Sequence, residues 1–225
     1  SSIMSRNRFF KRIGADPKKK LITYCPGTRK TTPHVFEILD MLWAFINRKK
    51  TVFPSQLLVR IHPKEVGWKR LKFTKYGNLI IDIPGKPSKR FRDGWIPFSN
   101  QLTHLANLMY HSDVVINVAS TVTLDACVLN TPVINISFDE TPNKPYYKSI
   151  RRFHDFTHYR PIVASGAVRI ARNPEDLLNL INIYLLQPSL DSENRKKLAS
   201  DFCYKTDGKS AIRIGEYLLK LLNEK

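Results

Sequence analysis

Ser120 and Thr121 stand side by side where an apolar run, VVINVAS, gives way to the helical pattern TVTLDACVL. Backbone N–H groups at a helix start have no intrahelical acceptor, and short hydroxyls add donors without blocking approach, so this junction can hold an anion such as a phosphate. Ser or Thr at a helix start is also a plain N-cap, and the two roles can coexist. Asp125 follows Thr121 by about one helical turn, on a similar face. It reads either as an acceptor for a ribose diol or as half of a surface salt bridge. The stretch RIHP closes another apolar run with the Arg60 cation, the His62 imidazole and a chain-turning proline. His62 is either a donor to a phosphate or leaving group, or a structural strand-end histidine. Gly27, Thr28 and Arg29 follow a third run, LITYC, but no GxGxxG or GxxxxGK[ST] spacing occurs.

Other chemistries find less support. His154 and His158 have no carboxylate-rich neighbourhood of the HExxH kind, so no metal site is expected, and no GxSxG elbow is present. His154, His158, Tyr159 and Arg160 read as a mobile loop against a ligand or as plain surface. Cys25, Cys127 and Cys203 form neither a disulfide framework nor a metal-ligand spacing.

The candidate groups need a scaffold. LITYC, QLLVRIHP, NLIIDIPG, VVINVAS and PVINISF read as strands, several of them continuous apolar runs, with helical patterns from Val35 to Ile46, from Ser99 onward with Leu102, Leu105, Ala106 and Met109 on one face, and from Thr121 to about Leu129. Thr32-Pro33 supplies an N-cap and a first helical position for the first of these. Strands that alternate with helices and are apolar on both faces predict an α/β fold, a Rossmann-like doubly wound parallel sheet. Ligands of such sheets bind at the carboxyl ends of the strands, where the polar residues above would meet if their strands are neighbours. Residues 1–17 read as a linker or lead-in helix and 18–225 as the domain. After Asp139 the stretch DETPNKPYYKSIRRFHDFTHYRP is long for a connection, hence functional or mobile. VASGAVRIA reads as a last short strand, Glu175 to Leu186 as a helix, and Lys209 to Leu222 as a final one.

The chain of 225 residues is 42% hydrophobic, enough for a sizeable core, and it carries a net charge of +18. That charge attracts nucleic acid, anionic headgroups or phosphorylated small molecules alike. It is spread over Lys18 to Lys20, Arg48 to Lys50, Lys69 to Lys75, Lys86 to Arg92, Lys148 to Arg152 and Arg195 to Lys197, most of which read as solvated faces. No apolar run is long enough to cross a bilayer and no signal-peptide pattern opens the sequence. A reducing cytoplasm is expected, with peripheral contact at the inner face of an anionic membrane compatible with the charge.

The pieces KLITYCPGT, RIHP, LANLMYHSDVVINVASTVTLDACVLNTPVI, HYRPIVASGAV and FCYKTDGKSAIRI span nearly the whole chain. Together they resemble the C-terminal, donor-binding domain of GT-B type glycosyltransferases, in the branch of surface-polysaccharide transferases and CDP-glycerol glycerophosphotransferases. The resemblance implies a nucleotide-activated sugar or polyol donor across the strand ends, its diphosphate near Ser120, Thr121 and His62. The ribose would approach Asp125, where such relatives commonly carry Glu, and the base would lie against Pro97 and Phe98. Neither metal nor other cofactor is implied, since the helix dipole and basic side chains stabilise the departing nucleotide. The family's N-terminal domain supplies the acceptor site and often the base, so this half alone is expected to bind nucleotide weakly and transfer nothing. Within the chain, His62 and His158 are the catalytic candidates.

Two alternatives stand beside this reading. A basic nucleic-acid-binding module would use cations interleaved with aromatics, as from Trp68 to Tyr76 or Phe91 to Trp95, but no RNA-binding signature occurs and the parallel-sheet pattern does not favour it. Nonhydrolysing UDP-sugar 2-epimerases resemble the same architecture with a different reaction.

Overall fold

The computed structural model describes residues 3–28, 35–65, 73–88, 95–139 and 144–224. After helix α1 (Arg6–Ile13) the chain alternates through β1 (Lys20–Cys25), α2 (Val35–Asn47), β2 (Ser55–Arg60) and β3 (Ile80–Asp82). A small hairpin, β4 (Gly85–Pro87) with β5 (Trp95–Pro97), precedes α3 (Gln101–His111), β6 (Val114–Asn117), α4 (Val122–Val128) and β7 (Val133–Ile136). The chain closes with α5 (Arg160–Ala164), β8 (Arg169–Ala171), α6 (Pro174–Leu186), α7 (Ser192–Cys203) and α8 (Ser210–Asn223). Six strands form one sheet in the order β3-β2-β1-β6-β7-β8, every pair parallel.

The continuous apolar runs follow from burial on both faces. Tyr24, Ile116 and Ile134 pack with Leu39 and Leu42 of α2 and Leu177 and Ile181 of α6. On the other face, Leu21, Val115 and Val133 meet Phe9 and Phe10 of α1, Leu108 and Met109 of α3, Cys127 of α4 and Leu198 of α7. Each large side chain so buried contributes about 1.5–3 kcal/mol, so the two cores hold the sheet as one unit. The lead-in helix belongs to this body: the Met4 amide donates to Asn107 Oδ1 at 2.7 Å and the Arg6 guanidinium pairs with Asp113 at 3.1 Å. Among the described residues no helix is long and apolar enough to cross a membrane.

Four expectations change. In α3 the predicted Leu105 and Met109 do pack into the core, joined by Leu108 and His111, but Leu102 is 82% exposed. The inward positions of the first turns are the polar Gln101 and His104, which meet a buried ion pair described below. VASGAVRIA divides, since Val163 and Ala164 finish α5 and only Arg169–Ala171 pairs with β7. The connection after Asp139 is partly built of 3-10 turns, Tyr146–Lys148 and Ile150–Asp155. Arg195, assigned to a solvated basic run, is fully buried because α7, absent from the sequence reading, turns it inward.

Candidate functional site

From β1 the sheet grows one way through β2 and β3, and from β6 it grows the other way through β7 and β8. The loops leaving β1 and β6 therefore part, and a crevice opens at the carboxyl ends of these two strands. Register fixes what lines it: Cys25 pairs with Asn117 across β1 and β6, and Tyr24 with Val59 across β1 and β2. Gly27 and Thr28 thus leave the sheet between Ser120 and Thr121 on one side and Arg60 and His62 on the other. With strands about 4.8 Å apart, the outer two loops start about 10 Å from each other. Arg29 and the Thr32-Pro33 pair lie outside the described residues.

The helix start after β6 uses backbone alone. Thr121 has a helical conformation and makes no side-chain cap, while the Thr123 amide bonds the Ser120 carbonyl at 3.0 Å and the Leu124 amide the Thr121 carbonyl at 2.9 Å. Among the described residues no protein acceptor meets the amides of Thr121 and Val122. Thr121 is exposed and Ser120 half-buried.

A buried polar network holds this loop from below. Thr123 Oγ1 lies 2.9 Å from the Tyr159 hydroxyl, which donates to Asn135 Oδ1 at 2.8 Å, and Asn135 Nδ2 donates to Asn117 Oδ1 at 3.0 Å. Asn117 Nδ2 closes the circuit on Thr123 Oγ1 at 3.1 Å. The Ser120 backbone bonds the same phenol, whose pKa burial pushes up to about 12, so it stays protonated. Tyr159, expected in a mobile loop or on the surface, is only 2% exposed. The available signal was the pair of asparagines ending the apolar runs VVIN and PVIN, which stand opposite each other in register.

Arg60 is 9% exposed and its Nη1 donates to Asp82 at the end of β3. His104 of α3 meets the other Asp82 oxygen at 2.7 Å. The Gln101 amide, turned with its oxygen to Arg60 Nη1 at 3.2 Å, donates to the Pro84 carbonyl at 2.8 Å. Burial alone would raise Asp82, but the His104 hydrogen bond and the Arg60 charge outweigh it and hold the carboxyl below 3.8. Beside this cluster a hollow of about 260 Å3 is lined by Phe98, Asn100, Gln101 and His104. Phe98, in its wall, and the neighbouring Pro97 are exposed where the hairpin hands the chain to α3. Sequence reasoning missed Asp82 and His104.

Asp125, in the first turn of α4, is exposed. Desolvation raises its carboxyl above the ordinary 3.8, against the pull of the Arg60 charge. The same charge opposes the burial that lifts the Cys25 thiol to about 12, so Cys25 is a packed, unreactive group between Arg60 and Asp125. His62 Nδ1 accepts from the Lys64 amide at 3.0 Å, which places the neutral ring's proton on Nε2 and makes that nitrogen a donor. His154 is buried, its Nδ1 3.3 Å from the Arg151 carbonyl, whereas His158 is exposed in the turn before α5, beside Tyr159.

The comparisons with known proteins agree with this geometry. The wall teichoic acid polymerase TagF, also solved after a soak with CDPG, shares the fold with a TM-score of 0.58 at 18% identity, over 97% of this chain and 47% of that one. The lipopolysaccharide-biosynthesis glycosyltransferase WaaG matches with a TM-score of 0.51 at 15% identity, over 89% and 48%. A putative UDP-N-acetylglucosamine 2-epimerase from Listeria monocytogenes matches with a TM-score of 0.53 at 16% identity, over 96% and 48%. The chain thus spans about half the length of these structures and has the Rossmann-like architecture of one half of a GT-B fold. Among curated proteins none matches it in sequence. The family model described as CDP-Glycerol:Poly(glycerophosphate) glycerophosphotransferase matches residues 4–220, and the chain belongs to that family.

Proposed function

We propose that the chain is the donor-binding half of a metal-independent transferase that uses CDP-glycerol. The observation that supports this most is the crevice itself: the loops after β1, β2 and β6 converge at the reversal of strand order. Its groups fit the parts of such a ligand. Asp125 accepts from the ribose diol, while the amides of Thr121 and Val122, the Ser120 and Thr121 hydroxyls and the His62 Nε2–H donate to the diphosphate. Gly27 and Thr28 let the backbone of the first loop approach it. The base rests on the Pro97-Phe98 ledge above the Asp82–His104 cluster.

In the transfer, an acceptor hydroxyl attacks the phosphorus that carries glycerol, the bridging P–O bond breaks and CMP leaves with the bonding electrons. The hydroxyl's proton passes to a base, for which an N-terminal half bearing the acceptor site is the source. Positive charge and fixed donors around the diphosphate stabilise the leaving group without a cation. On this reading the isolated chain binds donor and does not turn it over, and it works on the cytoplasmic side.

Isothermal titration of the chain with CDP-glycerol, CDP, UDP and UDP-N-acetylglucosamine, each with and without EDTA, tests the proposal. CDP-glycerol and CDP are expected to bind more tightly than UDP, with no effect of the chelator. Tightest binding of UDP-N-acetylglucosamine, with none of CDP-glycerol, would favour the epimerase reading suggested by the likeness to the Listeria protein. Turnover of labelled CDP-glycerol by this chain alone would overturn the half-enzyme reading.

A further inference from the structure

Past β7 a polar, aromatic stretch is built into a fixed platform. The Asp139 carboxylate, 4% exposed, accepts from the Ser149 hydroxyl, from the Ile150 amide at 3.2 Å and from Lys144 at 3.4 Å. The same hydroxyl accepts from the Arg151 amide at 3.1 Å and from Arg151 Nε at 3.0 Å. Arg152 donates to the Tyr147 carbonyl, and the Tyr146 hydroxyl donates to Asp155 at 2.6 Å. These bonds lock the two 3-10 turns against each other.

The locked turns hold cations and aromatics in water. Lys148, Arg151 and Arg160 are exposed, and among the described residues neither they nor Arg152 pair with a carboxylate. Tyr147 is 64% and Tyr146 54% exposed, and Lys148 Nζ stands 5.4 Å over the Tyr147 ring. Arg152 Nε is buried without a hydrogen-bond partner, a charged donor that an anionic oxygen would satisfy. A basic run alone is an ordinary solvated surface; this one is set apart by where it stands. β7 pairs with β6, Asn135 opposite Asn117, so the platform leaves the sheet one strand from the Ser120 loop. Its far end holds that loop: Tyr159, flanked by exposed His158 and Arg160, is the phenol bonded to the Ser120 backbone.

We infer that the segment from Tyr147 to Arg160 binds the glycerophosphate chain of the acceptor. Each transfer of glycerol phosphate leaves the acceptor with a phosphodiester and a free terminal hydroxyl, so an extended acceptor is a polyanionic polyol without bases. Lys148, Arg151, Arg152 and Arg160 meet its phosphates in charge-assisted hydrogen bonds, and the tyrosine hydroxyls meet its polyol oxygens. Cations among exposed aromatics also suit single-stranded nucleic acid. The position against the Ser120 loop favours the acceptor, whose terminal hydroxyl must arrive there. That last step rests on the donor reading above, whereas binding of the polymer does not.

Anisotropy of a labelled, lipid-free poly(glycerophosphate) mixed with the whole chain tests this. Binding is expected at about 0.1 M salt and is lost toward about 1 M, as the Debye length shrinks from about 10 Å to about 3 Å. Among the described residues the side chains of Lys148 and Arg160 hold no hydrogen bond, so Lys148→Ala with Arg160→Ala leaves the fold intact and weakens polymer binding by roughly tenfold. Lys197→Ala with Lys205→Ala, the same loss of charge elsewhere, leaves it nearly unchanged. Titration with CDP-glycerol reads the crevice on the same proteins, and the Lys148 and Arg160 variant should keep the wild-type donor affinity. Wild type that binds the polymer but not CDP-glycerol would remove the donor reading and leave the platform standing. Four results would each overturn the platform: equal polymer affinity in both variants, a parallel loss of CDP-glycerol affinity, tighter binding of single-stranded RNA of the same length, or loss of phosphatidylglycerol vesicles with the polymer retained.

Discussion

Arg195 Nε donates to both the carbonyl and the side-chain oxygen of Asn130, at 3.2 and 3.1 Å, although 65 residues separate them. Asn130 sits just past α4 in a left-handed conformation, and the same guanidinium reaches the carbonyls of Leu190 at 2.6 Å and Pro188 at 3.0 Å. One fully buried side chain therefore ties α7 and the turn before it to the end of α4. Arg195→Lys is expected to cost about 3 kcal/mol, nearly as much as Arg195→Met, because one ammonium cannot span both groups of acceptors. Urea unfolding midpoints at unchanged slope measure this; a loss under about 0.5 kcal/mol for the lysine variant would mean that the fork is not what holds the helices.

Tyr159→Phe removes the hydroxyl shared by Thr123, Asn135 and the Ser120 backbone. Stability should fall by about 1–3 kcal/mol, the range for leaving buried polar partners unsatisfied. The loop at Ser120 loses its fixed floor at the same time, so CDP-glycerol affinity should fall by roughly tenfold, which is about 1.4 kcal/mol. Unfolding curves and titration read the two effects independently. A destabilised variant with unaltered affinity would show that the network supports the fold and not the site.

The strands were legible because each of their faces meets a helical layer, which leaves apolar runs such as Val114 to Ile116. The polar strand ends were legible too, since Arg60 and Ser120 interrupt those runs where the chain leaves the sheet. The partners of Arg60 were not. Asp82 and His104 come from β3 and α3, and only the parallel pairing of Arg60 with Asp82 brings them together. In α7 the sequence SENRKKLASDFC hides its inward stripe because that stripe includes a charged residue, Arg195, alongside Leu198 and Ala199. Tyr159 was illegible for a related reason: it lies in a polar, aromatic stretch, and its burial depends on asparagines from β6 and β7.

Asp82→Asn tests the buried cluster through pH. The folded-state pKa of Asp82 lies below the ordinary 3.8, so its carboxylate adds stability above that value and loses the addition as pH falls through 3.8 toward the folded value. The substitution should cost about 3 kcal/mol near neutral pH, because it leaves the Arg60 charge buried without its partner. The gap between wild type and variant should narrow only in the acid range, below about pH 4. Denaturant melts across pH check this, and a gap that stayed constant down to the acid limit would assign the cost to packing.

Asp125 carries the most direct consequence for ligand choice. A carboxylate that accepts from both ribose hydroxyls should discriminate CDP from 2′-deoxy-CDP by roughly tenfold, about 1.4 kcal/mol. Asp125→Ala should bind the two ligands alike, while Asp125→Glu, longer by one methylene, should keep most of the preference. Because desolvation raises the Asp125 carboxyl above 3.8, protonation removes an acceptor at a higher pH than for an ordinary aspartate. Affinity for CDP should therefore decline on acidification before the Asp82 cluster begins to weaken, and the decline should be absent in Asp125→Ala. Titration of each protein with both nucleotides over that pH range decides the matter: equal binding of CDP and 2′-deoxy-CDP by the wild type would remove the ribose from this end of the crevice.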